Sequence, residues 1–202
     1  MVDDGVIKYT SERVTGQVPV SATLEELNAA RSTLFELGLI GAYPNGIGYG
    51  NLSLRETGTR FVISASATGA DPTLRVDQYC LVEAFSIELN WVRSRGALPA
   101  SSESMTHGAI YLAKPSVQCV IHVHSRALFD ALLAQGAPHS GADIAYGTPA
   151  MAQAVMRLVE KQPVLPVLFV MAGHAEGVVA YGADVGSVTT LLVDTLKRIE
   201  ST

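Results

Sequence analysis

The most chemically pointed segment of this sequence is His122-Val123-His124, two imidazoles separated by one residue. They close a β-rich run, and in a strand residues two apart project from the same face. Both rings therefore point one way and Val123 the other, which is how a strand presents two metal ligands. Val120, Ile121 and Val123 are apolar, so the pair belongs at the end of a buried strand rather than on a wet loop. A bare pair of this kind also suits surface histidines, or core histidines bonded to backbone. A third histidine, His174, follows the apolar run Leu168-Phe169-Val170-Met171 and lies between Gly173 and Gly177. Glycines there let the backbone turn closely around a site. Read alone, His174 is a turn residue; with the pair, three imidazoles and one open position make a catalytic zinc-type site.

Glu103 sits in Pro99-Ala100-Ser101-Ser102-Glu103, where a helix is expected to begin. An acid in a first helical turn is favoured by the helix dipole, and the functional alternative is a metal ligand or proton carrier. Ser101 and Ser102 add hydroxyls and helix-start N–H groups that suit an anion. Gly48-Tyr49-Gly50-Asn51-Leu52-Ser53 and Ser64-Ala65-Ser66-Ala67-Thr68-Gly69 offer small side chains at strand ends. Such turns can form anion-binding nests, although neither matches a Walker loop or a dinucleotide fingerprint. His107, four residues after Glu103, falls on the same helical face and is expected to pack near the site; His139 is expected in an exposed loop.

The elements that must carry these residues follow from periodicity and punctuation. Residues 1–20 lack a clear period and read as an extended arm. Thr23-Leu24-Glu25-Glu26 reads as a capping box, and Leu24, Leu27, Leu34 and Phe35 continue a helix that Gly38 and Gly41 end. Tyr43 to Asn51 reads as a loop. Leu52 to Arg55 and Arg60 to Ser66 form a hairpin about Gly58. Tyr79 to Arg95 suits a helix or two strands turning near Ile87 to Asn90, and strands are preferred. Ser101 or Ser102 caps a helix running to Lys114, and Pro115 stops it. Val117 to Val123 is a strand and Arg126 to Ala134 a helix. Thr148-Pro149 opens another helix, to Lys161. Val164 to Met171, interrupted by Pro166, and Gly177 to Tyr181 are strands. Val185, Val188, Leu192 and Ile199 mark a last amphipathic helix. Alternating strands and helices predict a layered α/β architecture, with no linker and one domain over residues 1–202.

Composition narrows the function. The 202 residues are 48% hydrophobic and 16% charged, with a net charge of −5. A charged share below the usual quarter excludes disorder and hints that some surface is buried against further copies. The acidic balance argues against nonspecific nucleic-acid binding but not against an anionic small substrate. Cys80 and Cys119 are expected to be reduced core residues of a cytoplasmic protein, since Met1-Val2-Asp3-Asp4 does not read as a secretory leader. No apolar run is long enough for a membrane span.

The order of the pieces resembles the class II aldolase/adducin family. Gly-Asn-Leu-Ser is followed by Ser-Ala-Thr-Gly. Then come Ser-Ser-Glu ahead of Thr106-His107 and Ala109-Ile110-Tyr111, and Lys114-Pro115-Ser116-Val117 leading into Val120 to Ser125. A Gly-Thr-Pro helix start and a late histidine before Gly-Val-Val-Ala-Tyr-Gly complete the series. The resemblance covers residues 24–200. It implies a layered α/β/α fold with a central mixed, largely antiparallel sheet. His122, His124 and His174 fall on the family's three metal-ligand histidines, and Glu103 on the acid that binds the free metal or shuttles a proton. Asn51, Thr68, Gly69, Ser101 and Ser102 fall where the family holds the substrate phosphate. The implied cofactor is a divalent metal, zinc foremost, with manganese, iron or cobalt as alternatives. The implied assembly is a homo-oligomer, a tetramer being favoured.

Two departures stand out. Family members usually read His-Gly at the third ligand, whereas this chain reads His174-Ala175-Glu176-Gly177, which brings Glu176 close as a possible extra acid/base. No tyrosine occurs between His124 and Tyr146, so the tyrosine the aldolases carry in that region has no counterpart. The function implied is a metal-dependent lyase acting on a phosphorylated ketose by retro-aldol cleavage through a metal-stabilised enediolate. The alternatives are an epimerase or dehydratase on the same site, a metal hydrolase using Glu176, and a non-catalytic adducin-like interaction module. No nucleic-acid or membrane partner is expected.

Overall fold

A computed structural model describes residues 5–201. An eight-stranded sheet, whose seven neighbour pairings include one parallel pair, runs through the molecule. Its strands are β1 (Thr10–Val14), β4 (Asn51–Thr57), β5 (Arg60–Ser64), β6 (Tyr79–Ser86), β7 (Trp91–Arg95), β8 (Cys119–His124), β9 (Val167–Val170) and β10 (Gly177–Gly182). The spatial order is β1-β7-β6-β5-β4-β8-β10-β9. A two-stranded ladder of β2 (Gly41–Ala42) and β3 (Gly48–Tyr49) stands apart from it. The helices are α1 (Ala22–Glu36), α2 (Ser104–Ala113), α3 (Arg126–Ala134), α4 (Pro149–Glu160) and α5 (Val185–Glu200).

Strand alternation divides the core in two. Leu52, Leu54, Ile121, Val123, Val178 and Ala180 face one layer with Leu27 and Leu34 of α1, Leu128 of α3 and Leu192 of α5. Phe61, Ile63, Val120, Val179 and Tyr181 face the other, with Met105 and Ile110 of α2 and Val155 of α4. Each sheet face thus buries its apolar set under helices, the arrangement that defines an α/β/α sandwich. The expected layered fold with a largely antiparallel central sheet is what the chain adopts.

Several local expectations hold. Tyr79–Ser86 and Trp91–Arg95 are antiparallel strands around a turn at 87–90, and Gly58 turns the β4–β5 hairpin with φ of 55°. Thr148 caps α4 by accepting from the Met151 N–H.

Others are corrected. The cap of α1 is Ser21, whose hydroxyl accepts from the Leu24 N–H, so Thr23 lies inside the helix and closes no capping box. Ser101 Oγ accepts from the Glu103 N–H, and the Ser101 carbonyl from the Ser104 N–H. That turn carries the chain past both serines, and α2 begins at Ser104 with Glu103 at the cap position. The expected extended arm contains β1, an edge strand parallel to β7; residues 1–4 of it lie outside the described residues. The strand expected from Val164 starts only at Val167, after Pro166. The expected loop at 43–51 holds β3 and the first residue of β4. Among the described residues, no helix is long and apolar enough to cross a membrane.

Candidate metal centre

Strand β8 is hydrogen-bonded on both sides, pairing Asn51 of β4 and Val179 of β10 with His122, and Gly177 with His124. The strand is wholly buried, and its alternation sends His122 and His124 to the α2/α4 side while Val123 packs in the opposite core. The two rings lie 4.9 Å apart by centroid. His174 arrives from the β9–β10 connection, a tight turn in which the His174 N–H bonds the Met171 carbonyl and the Gly177 N–H bonds the His174 carbonyl. Its ring stands 4.8 Å from that of His124 and 5.3 Å from that of His122. The structure thus gathers the three histidines, with one ligand nitrogen from each within 4.8 Å of the others.

The turn that delivers His174 depends on close approach at Gly177. A Cβ there would fall 2.7 Å from His174 Cδ2 and 3.3 Å from His122 Nε2, so no larger residue fits without displacing the rings. Tyr146 backs His174 from the other side, ring to ring at 4.4 Å.

Burial sets the charge state of the cluster. It holds His124 down at about 4 and His174 at about 3, and pushes His122 well below the ordinary imidazole range, with the neighbouring imidazoles adding to the effect at His122 and His174. All three are therefore neutral near pH 7 and present lone pairs, the form a metal requires. His122 Nε2 is buried and makes no hydrogen bond among the described residues, while His124 Nε2 lies 3.1 Å from His174 Nε2. Neutral imidazole nitrogens converging on one point, one of them orphaned, fit a borderline-soft divalent cation.

The other expected site residues line the same cavity. Glu103, 2% exposed, takes no part in capping α2 by its side chain and sits with Ser101 and Ser102 on the wall. Thr68, Gly69 and Asn51 line it as well. Asn51 Nδ2 is 3.3 Å from His122 Nδ1, and Asn51 Oδ1 is buried without a partner among the described residues. With the two ends of this amide exchanged, Oδ1 pairs with an Nδ1–H and His122 Nε2 is left as the donor atom. The expected role of Asn51 beside the substrate and this contact with His122 share one side chain.

The loop 65–70 owes its shape to a buried cation on α1. Arg31, fully buried on α1, donates through Nε to the Asp71 carbonyl at 3.0 Å and through Nη2 to the Thr68 carbonyl at 2.5 Å. Thr68 Oγ1 donates to the Ala65 carbonyl at 2.8 Å, and Ala67 takes a positive φ of 61°. The N–H groups of Ala67, Thr68 and Gly69 make no backbone bonds among the described residues, which is the make-up of an anion nest. Gly69 also has no room for a side chain, because a Cβ would overlap the Gly41 carbonyl oxygen. The signal for Arg31 was present: it stands in the apolar stripe Leu24, Leu27, Leu34. The buried Tyr9 hydroxyl is shared between the carbonyls of Ala100 (3.1 Å) and Ser101 (2.9 Å), fixing the turn before α2.

Glu176 is placed differently from the rest. It does not line the cavity; its Oε2 accepts from the Tyr43 hydroxyl at 3.0 Å, behind His124. His107 is buried, with Nδ1 2.7 Å from Ser53 Oγ, and His139 is exposed, as expected for both.

The sequence matches the family model for the class II aldolase and adducin N-terminal domain over residues 26–195. The chain belongs to this family. The resemblance carried by the motifs is thus borne out. Solved structures agree on the fold of this class II aldolase family member. L-fuculose-1-phosphate aldolase from Thermus thermophilus is 20% identical, with 89% of this chain and 92% of that one covered and a TM-score of 0.64. A sugar-phosphate aldolase from Thermotoga maritima is 17% identical, with 88% and 92% covered and a TM-score of 0.64. The N-terminal class II aldolase domain of a conserved protein from Thermoplasma acidophilum is 13% identical, with 92% and 96% covered and a TM-score of 0.60. None of the curated proteins compared with this class II aldolase family member matches it.

Proposed function

We propose that this protein is a divalent-metal-dependent lyase that cleaves a phosphorylated ketose by retro-aldol chemistry. One observation carries the proposal: three neutral imidazoles converge in the same cavity as a buried carboxylate and an N–H-rich turn. His122, His124 and His174 would hold the metal. A divalent cation there, zinc foremost, supplies positive charge that polarises a carbonyl and stabilises the negative charge left when a neighbouring C–C bond breaks.

The chain's own groups supply the rest. The loop at 67–69, with Ser101, Ser102 and Asn51, fixes the phosphate by hydrogen bonds and so sets the distance of the reacting carbons from the histidines. A Glu103 carboxylate oxygen takes the proton of the hydroxyl two carbons from the carbonyl. The bond between that hydroxyl-bearing carbon and the carbon next to the carbonyl breaks, its electron pair moves through that carbon onto the carbonyl oxygen, and an aldehyde departs. Glu103 returns the proton to carbon, giving dihydroxyacetone phosphate. The retained three histidines and acid favour an enzyme over an adducin-like interaction module. A 16% charged composition favours a homo-oligomer, for which the family resemblance suggests a tetramer, and two buried free cysteines favour the cytoplasm.

The test is release of dihydroxyacetone phosphate from a panel of ketose 1-phosphates. Glu103→Ala is expected to keep the metal and lose turnover, and His122→Ala to lose both. Full turnover by Glu103→Ala overturns the assignment. Inversion of the sugar without release of fragments replaces the lyase by an epimerase.

A further inference from the structure

We propose that Glu176 and Tyr43 are positioning residues that fix the tautomer of His124 and aim its Nε2 at the metal. The inference rests on the metal-centre reading above and assigns Glu176 a role other than acid/base. The phenol oxygen of Tyr43 lies 2.9 Å from His124 Nδ1 and donates to Glu176 Oε2 at 3.0 Å. A phenol has one proton, and a carboxylate can only accept. The Tyr43 proton therefore belongs to the bond with Glu176, and the Tyr43 oxygen accepts from His124. That contact requires a proton on Nδ1. The lone pair of His124 is then left on Nε2, the nitrogen that faces His174 Nε2 at 3.1 Å.

The surroundings fix the ring as well as its proton. Tyr49 stacks on His124 with centroids 5.5 Å apart and planes 26° from parallel, and Tyr43 leans on Tyr49 at 4.7 Å. Glu176 reaches Tyr43 only through an unusual backbone. Its φ is +66°, a left-handed conformation that costs a residue with a Cβ. The Glu176 carbonyl is tied by the Ser125 N–H at 3.0 Å, one residue beyond His124. One short turn therefore sends His174 into the cavity and the Glu176 carboxylate behind a second histidine. A carboxylate oriented on a ligand histidine through a hydroxyl raises ligand basicity and holds the ring.

The experiment titrates the purified full chain with Co2+ and Zn2+ against a competing chelator. Glu176→Ala and Tyr43→Phe should each weaken metal affinity about 10- to 100-fold. Glu176→Gln, which keeps an acceptor oxygen, should recover part of the loss. The double variant should bind no more weakly than Tyr43→Phe alone, because Glu176 acts through Tyr43. Imidazole 15N–1H correlation spectra of the zinc-loaded wild type should show the His124 proton on Nδ1, and thermal melts of the metal-free variants should stay close to wild type. Unchanged affinity in both single variants, additive losses in the double variant, or a His124 proton on Nε2 would overturn the inference. Wild-type protein that takes up neither metal removes the centre itself, a failure distinct from any of these.

Discussion

His124 Nε2 and His174 Nε2 lie 3.1 Å apart across 50 residues of sequence, one on a central strand and the other on a turn. A cation between them would join two segments that the unfolded chain keeps apart, so binding should stabilise the fold. At a free metal concentration of 100 times Kd the gain is about 2.7 kcal/mol. The melting temperature should rise on adding Zn2+ or Co2+ and fall again with a chelator. His174→Ala should melt at the same temperature with and without metal. A metal-dependent rise that survives in His174→Ala would contradict a three-histidine site.

Gly177→Ala places a methyl group 2.7 Å from His174 Cδ2. Moving the ring is easier than moving the strand, because β10 is paired on both sides. The expected outcome is weakened metal binding with the secondary structure retained, measured by competition titration and circular dichroism. Wild-type affinity in this variant would show that the turn relaxes without involving the histidine.

Arg31→Met should destabilise the fold and loosen the loop 65–71. The carbonyls of Thr68 and Asp71 each lose a hydrogen bond from a charged donor, worth about 1.5–3 kcal/mol, while the Thr68 carbonyl keeps its bond from the Asp71 N–H. Relief of the buried guanidinium, whose pKa burial lowers, offsets part of this. Urea unfolding measures the net loss, and inorganic phosphate affinity should drop with it. Arg31→Lys, unable to reach both carbonyls, should restore little of either. Unaltered phosphate affinity in a destabilised Arg31→Met would separate this residue from the anion site.

Asp184 caps α5, accepting from the Ser187 N–H at 2.7 Å and the Ser187 hydroxyl at 2.9 Å, and these bonds lower its pKa. A depressed folded-state pKa stabilises the protein above the unfolded value and ceases to do so as pH falls through the folded one. Asp184→Ala should therefore cost about 1 kcal/mol near pH 7. The gap to wild type should narrow as the pH is lowered below about 4, the ordinary aspartate value. Thermal melts across that range measure it, and a gap independent of pH would assign the loss to something other than the charged cap.

Local rules carried much of the architecture. The alternation in Val120 to His124 placed both imidazoles on one face, and Thr148-Pro149 marked a helix start, because each depends on neighbours in the chain. β1 was hidden for a physical reason: its first four residues are exposed, so Thr10–Val14 carries no apolar alternation to read. The cap of α1 went to Ser21 rather than Thr23, since either hydroxyl satisfies the local rule and the entry of the chain decides. At the site, the grouping of His174 with the strand pair rests on its flanking glycines, the three-imidazole chemistry and the family resemblance, because no regular spacing links residue 174 to 122 and 124. Tyr43 begins a stretch whose composition reads as a loop, and its contacts with His124 and Glu176 span 81 and 133 residues. Pairings over such separations are products of the finished sheet.

β8 lies between β4 and β10 near the middle of the sheet, while the segments that would grip a substrate hang from strand ends and helix starts. Two of the three cation-holding imidazoles are thereby fixed by the sheet rather than by the loops that choose what enters. Insertions or exchanges at 65–71 or 99–103 could retune the preferred sugar over evolutionary time while the imidazoles on the strand kept their places.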